Sequence, residues 1–346
     1  MKKIALIVDA DNWAFANIAR NIKDNLSKYY SFTIIPIAYL DSNIVKVLFL
    51  TKEYDLIHFF WRGLVVTLNS KNYKKYIKEM GGTVKDFNNK FLDDKIITSS
   101  VYDHLFLDDE KGIEKTKKIF SRCKYYYVSS NKLMDIYINM ELENYPYGVI
   151  TDGVDLEKFY PIKKDKYRNI QDRKIKIGWV GNSAWRQDTE DFKGVNTILK
   201  PTIQELIEEG YEIEPYFADR QERMIPHDKM VDYYNDIDII VCTSKIEGTP
   251  NPVLEGMACG DVVVSTDVGI VPDVLGEKQA KFILEERSKK CLKQKIIYLV
   301  EHRNEFEELK NENLERIQDW TWKKISEKFK AFLDYVFEQE NKLEHQ

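Results

Sequence analysis

Two glutamates eight positions apart, Glu247 and Glu255, lie in the segment SKIEGTPNPVLEGMACG, residues 244–260. The apolar run 237–243 before it reads as a buried strand. The segment therefore falls at the carboxyl edge of a parallel sheet, where open α/β folds bind ligands. Asn251 suits an N-cap and Pro252 the first helical position, which predicts a helix over 252–259. The unpaired N–H groups and positive dipole end of such a helix make a seat for an anion, most simply a phosphate. Carboxylates would repel the phosphate itself. They make sense as acceptors of hydroxyl hydrogen bonds on either side of a diphosphate, from a sugar on one side and a ribose on the other. A helix cap plus a surface glutamate explains either carboxylate alone, but explains the strand, loop and helix together less well.

A second segment, IGWVGNSAWRQDTEDFKG over 177–194, also follows a strand and opens a helix. Gly181 lets a ligand approach the backbone closely, and Asn182 and Ser183 continue the same turn. Arg186 and Lys193 carry the charge to neutralise a diphosphate, above all one that departs with its negative charge growing. A single glycine after a strand is weak evidence, and a lone lysine is usually solvated. The Lys193-Gly194 pair opening a helix beside the glutamate segment favours the functional reading.

These loops need strands beneath them, and the chain supplies two series. Strands are expected at 3–8, 32–37, 55–60, 95–100 and 125–129, alternating with helices such as 14–26, where Ile18, Ile22 and Leu26 recur every four residues. The alternation restarts with strands at 174–180, 211–217, 237–243 and 261–265 and helices at 195–209, 230–235 and 252–259. Strand–helix alternation implies parallel sheets with helices on both faces. The charged stretch 152–171, with Gly153 and Pro161, reads as a linker between the series. A length of 346 residues with 43% hydrophobic composition suits two domains of roughly 150 residues each. The expected division is 1–155, 156–318 and a closing helical stretch over 319–346 anchored by Trp320 and Trp322.

Composition removes several function classes. No apolar stretch approaches the ~20 residues needed to span a bilayer, and no signal-peptide pattern opens the chain. Four cysteines without C-x-x-C spacing point to free thiols in a reducing cytoplasm and to no zinc site. A net charge of −5 argues against general nucleic-acid binding.

Taken together, these residues resemble the retaining glycosyltransferases of the GT-B fold, in the large group often called family 4, or glycosyl transferases group 1. The resemblance rests on Glu247 and Glu255 with seven residues between them, followed by Gly256-Met-Ala-Cys-Gly260. It rests also on ITDGVDLEKFYP at 150–161, on Val128-Ser129-Ser130, on TDVG at 266–269 and on WKKIS at 322–326. It implies two Rossmann-like doubly wound domains facing a cleft, with the C-terminal helix crossing back to the N-domain. Glu247 would then hold hydroxyls of a donor sugar and Glu255 the ribose. Lys193 and the stretch Thr249, Pro250, Asn251, Pro252 and Val253 would receive the diphosphate, beside Gly181, Asn182 and Ser183. The base would lie against residues 223–226, including Met224 and Ile225. The family carries an arginine where this chain has Asn182, a place that Arg186 would fill if its longer loop brings it there. His104 is the N-domain candidate for catalysis, the alternative being an ordinary polar loop residue.

The implied reaction moves a sugar from a UDP- or GDP-linked donor to a glycan or lipid-linked glycan acceptor, as in bacterial surface polysaccharide synthesis, with no cofactor and no metal ion. No D-x-D appears where a metal-dependent transferase would need one. Rival readings are a catalytically silent GT-B subunit partnering an active transferase and a sugar-nucleotide epimerase of the same fold. Trp13 and Phe15 suit either an acceptor groove or the core of the first helix. His58, Trp61 and Arg62 invite the same two readings, with Arg62 the one to reach an anionic group. Two basic stretches, Lys71 to Lys78 with Tyr73 and Tyr76 interleaved and Lys111 to Arg122, suit either the inner face of an anionic membrane or a plain solvated surface.

Overall fold

The computed structural model describes residues 1–105, 107, 109–186 and 188–344. The chain forms two compact units, Met1–Thr151 with Trp322–Gln346, and Asp152–Thr321. The first holds strands β1 (Lys3–Val8), β2 (Ser31–Pro36), β3 (Leu56–Phe59), β4 (Ile96–Val101) and β5 (Tyr125–Val128), paired in parallel in the order β2-β1-β3-β4-β5. The second holds β6 (Ile175–Gly181), β7 (Ile213–Asp219), β8 (Ile239–Cys242), β9 (Val262–Thr266) and β10 (Ile283–Leu284), again parallel, ordered β10-β9-β8-β6-β7. Both sheets wind outward first one way and then the other. The reversals fall between β1 and β3 and between β6 and β8, the switch points where such sheets open a crevice for ligands.

Burial on both faces explains why the strands read as unbroken β-branched runs. Ala5 and Ile7 enter one core while Ile4, Leu6 and Val8 enter another on the opposite face. In β8, Ile239 and Val241 point one way, Ile240 and Cys242 the other. The helix Ala14–Leu26 buries Ile18, Ile22 and Leu26 in the core that also takes Phe329, Phe332, Leu333 and Val336 of the helix Trp322–Glu344. That long helix thus belongs to the first unit.

Three local expectations need correction, and one strand was not anticipated. Residues 152–171 are no free linker: Val154, Phe159, Tyr167 and Ile170 are buried in the cores of the second unit. Their apolar side chains come singly, without the period that marks an element. The chain enters and leaves this unit side by side, since Val154 pairs with Thr321 and its N–H donates to the Trp320 carbonyl at 2.8 Å. Ile317–Trp320 is a tight turn, so the terminal helix begins at Trp322. The helix expected over 195–209 starts as a π turn, Val195–Leu199, before Lys200–Glu208. β10, two residues long, is too short to show a period. At the amino edge of the second sheet, Arg173 grips Asp238 with both terminal guanidinium nitrogens, Nη1 and Nη2, at 2.6 and 2.7 Å, and Asp238 is 1% exposed.

Candidate active site

The loops leaving β6 and β8 meet at the switch point of the second sheet and are knitted together. Thr243 Oγ1 donates to the Lys193 carbonyl at 2.8 Å, and the Lys245 N–H donates to the Phe192 carbonyl at 2.8 Å. Arg287 reaches in from beyond β10, donating to the carbonyls of Thr243 and Asp191 at 2.9 and 2.5 Å. Asp191 accepts from the N–H groups of Gly194, Asn196 and Thr197 at 2.8–2.9 Å and so caps the following turn. Gly194 adopts φ +67°, and a Cβ there would lie 2.5 Å from the Thr243 carbonyl oxygen. Only glycine lets the two loops lie this close.

This knitting brings Lys193 and Glu247 together. Lys193 Nζ lies 2.5 Å from Glu247 Oε1, and the same oxygen accepts from Ser244 Oγ at 2.6 Å. The two side chains are 22% and 18% exposed. Burial alone would push the Lys193 ammonium down, but the charge and hydrogen bond of Glu247 more than offset it and hold the group above its ordinary value. Above the pair, Trp185 and Phe192 meet edge to face at 5.7 Å, with Lys193 5.2 Å from the Trp185 ring and Arg186 5.0 Å from the Phe192 ring. Arg186 takes φ +55°, a left-handed conformation that is uncommon off glycine.

The helix after β8 runs Asn251–Cys259, with Pro250 and not Asn251 at the capping position and no side-chain cap. Pro250 and Pro252 have no N–H, and the Val253 N–H donates to the Pro250 carbonyl at 2.8 Å. The amide seat is therefore narrower than the full stretch 249–253, reducing to Thr249 and Asn251. Glu255 lies one turn further in, half-buried, accepting from Tyr234 Oη at 2.7 Å. Burial pushes its carboxyl up to about 7, against the lowering effect of the Tyr234 hydrogen bond and the Lys158 charge.

The turn after β6 joins the loop after β7. The Ser183 N–H donates to Asp219 Oδ1 at 3.1 Å, and Gln221 Nε2 donates to Asn182 Oδ1 at 2.8 Å. Beyond it Arg223 lies over the Tyr216 ring at 4.4 Å, Met224 is exposed and Ile225 half-buried. Gly181, Asn182, Ser183, Lys193, Glu247 and the start of the 251–259 helix thus share one edge of the second unit. Ser244, Tyr234, Asp219 and Arg287, which no sequence pattern singled out, set their positions.

His104 belongs to the first unit, half-buried in the loop after β4. Arg62 does not reach outward: it is buried, with Nη1 2.7 Å from Asp103 Oδ1 and Nη2 donating to the Leu105 carbonyl at 3.1 Å. His58 is a core residue. Its Nδ1 lies 2.9 Å from Thr98 Oγ1, its ring stacks on Tyr127, and burial pushes its pKa down to about 3. Trp13 and Trp61 are exposed, whereas Phe15 packs against Phe60 and Tyr102. Among the described residues, no three His, Cys, Asp or Glu side chains group closely enough to hold a metal ion.

Residues 223–316 match the model of the family described as glycosyl transferases group 1. The match takes in Glu247, Glu255 and the helix that starts at Asn251; Lys193 lies before it. The chain is 25% identical over 163 residues to the Campylobacter jejuni N,N'-diacetylbacillosaminyl-diphospho-undecaprenol alpha-1,3-N-acetylgalactosaminyltransferase, a match that spans 43% of either protein. Its fold is similar to that of sucrose-phosphate synthase from Thermosynechococcus elongatus, with a TM-score of 0.70 and 15% identity over 98% of this chain and 100% of that one. Anabaena HepE, solved in complex with UDP and glucose, gives a TM-score of 0.67 and 12% identity over 97% and 100%. The fold is that of the GT-B glycosyltransferases.

Proposed function

We propose that this protein is a retaining glycosyltransferase of the family 4 type, moving a sugar from a nucleoside-diphosphate donor to a hydroxyl of a lipid-linked glycan in the cytoplasm. The observation that carries this is the pairing of Lys193 with Glu247 at the β6/β8 switch point, with Glu255 one turn inside the helix that follows. The fold's likeness to HepE, solved with UDP-glucose, supports a UDP-linked donor. The name of the Campylobacter relative, which gives a diphospho-undecaprenol substrate, supports the acceptor class. No helix among the described residues is long and apolar enough to cross a membrane.

In this reading Lys193 and the amides of Thr249 and Asn251 take up the charge that grows on the departing diphosphate, so that no metal ion is needed. Glu247 accepts hydroxyls of the sugar, and Glu255 accepts the ribose. The bond to the anomeric carbon breaks and forms on one face, with the leaving phosphate oxygen taking the acceptor proton. A thermal-shift screen with UDP, GDP and their sugars tests donor binding. A bound ligand at a hundredfold excess over Kd adds about 2.7 kcal/mol of stability. No shift with any nucleotide would sink the reading. Free nucleoside diphosphate released only when acceptor is present separates transfer from epimerisation and from a silent subunit.

A further inference from the structure

Glu247 and Lys193 already satisfy each other in this structure. The Lys193 ammonium and Ser244 hydroxyl both bond the same oxygen, Glu247 Oε1, at 2.5 and 2.6 Å. About four-fifths of each charged side chain is withdrawn from solvent, where screening is weak. The backbone that carries the lysine is fixed beside Glu247, because its carbonyl is held by Thr243 and the next residue, Gly194, is wedged against the Thr243 carbonyl. A diphosphate that takes Lys193 must therefore take it from Glu247. The carboxylate would then be left part-buried, with one hydroxyl donor and a new negative neighbour, a costly state.

We infer that Glu247 is the counter-ion of Lys193 until a donor binds and thereby discriminates the intact sugar donor from the bare nucleoside diphosphate. The inference rests on the donor-site reading above. An intact donor brings sugar hydroxyls beside its diphosphate, and these give Glu247 new hydrogen bonds in exchange for the lysine. A bare diphosphate brings none. Selectivity comes from a charge left unpaired by the wrong ligand. The device also favours departure of the nucleoside diphosphate after transfer, since Glu247 reclaims Lys193 once the sugar has gone.

Calorimetric titration with UDP and UDP-glucose, and with GDP and GDP-mannose, tests this on the full chain. Glu247→Gln keeps the side-chain shape and removes the charge. It should bind UDP about tenfold tighter than the wild type, a change of ~1.4 kcal/mol, while UDP-glucose binds no tighter. In a Lys193→Ala background the same substitution should leave UDP affinity within about twofold, because the pair is already broken. Unchanged or weaker UDP binding by Glu247→Gln overturns the inference. Equal tightening in the Lys193→Ala background also overturns it, leaving simple repulsion between carboxylate and diphosphate. Absence of any nucleotide binding by the wild type would instead sink the donor-site reading, and the discrimination with it. Melting curves establish that each variant is folded, and Glu247→Ala provides the same comparison if the glutamine variant is not.

Discussion

Gly269 offers a sharp test of how the site is held, because it touches no proposed ligand. It adopts φ +50°, and the Ile270 N–H donates to the Gly248 carbonyl at 3.0 Å. A Cβ built on Gly269 would fall 2.0 Å from the Gly248 carbonyl oxygen, 2.7 Å from its carbonyl carbon and 2.8 Å from the Glu247 backbone carbonyl oxygen. Real contacts of this kind do not close below 3.0 Å, so Gly269→Ala must displace the Gly248 peptide by about 1 Å. That peptide links Glu247 to Thr249, so carboxylate and amide seat move together. Misplacement of reacting groups by 1 Å costs on the order of 10²-fold in rate. The clash and the left-handed alanine should also cost roughly 1–3 kcal/mol of stability, which at about 2–4 °C per kcal/mol for a unit of this size lowers Tm by about 2–12 °C. Nucleotide release measured with melting curves reads both effects. Gly148→Ala is the control, since a Cβ there meets nothing within 4 Å. A Gly269→Ala protein with wild-type kcat and Tm would refute the claim that this glycine sets the glutamate loop.

Lys193→Ala should lower kcat by roughly 10²–10³ and weaken donor binding, because it removes a preorganised cation from the diphosphate; a folded variant turning over at the wild-type rate would refute the assignment. Glu255 carries a carboxyl raised from 4.5 to about 7 by burial, so its stabilising neutral form is complete below pH ~4.5 and lost as pH rises through ~7, a swing of about 3 kcal/mol. Glu255→Gln should therefore flatten both the fall of Tm between about pH 5 and 8 and the tightening of donor affinity over the same range; parallel profiles for variant and wild type would refute this. Arg173→Ala leaves the buried Asp238 short of two charged hydrogen bonds and should cost roughly 2 kcal/mol, with kcat unchanged, because the pair lies at the opposite edge of the sheet from Lys193. A loss of kcat in a folded Arg173→Ala protein would contradict that placement.

Strands buried on both faces announce themselves as continuous apolar runs, and β1, β6 and β9 were legible to within a residue or two for that reason. The meeting of Lys193 with Glu247, 54 positions apart, was legible in kind, since both follow strands of one series that winds about a switch point. What escaped was pairing that depends on side chains alone. Nothing in the pattern ties Arg62 to Asp103, or Tyr234 to Glu255, because charge and hydroxyl partners carry no period. The stretch 152–171 misled by composition: most of its charges lie outside, Asp152 and Lys166 excepted, while Phe159 and Tyr167 anchor it. Asn251 was displaced as a cap because Pro250, with its own fixed φ, already stood at the helix entrance.

The terminal helix on the first sheet also sets the order of events during synthesis. Residues 152–321 are made between the two pieces of the first unit, which takes roughly 10–30 s at ~5–20 residues per second. Through that interval Leu6, Phe60 and Tyr127 lack the cover that Phe329, Phe332 and Val336 provide. The second unit has all its residues before the first does. The nascent stretch 1–151 therefore waits on the ribosome with an apolar flank open, when chaperones and neighbouring chains can reach it. Loss of residues 322–344 would strip that flank permanently while removing nothing from the sheet that carries Lys193 and Glu247.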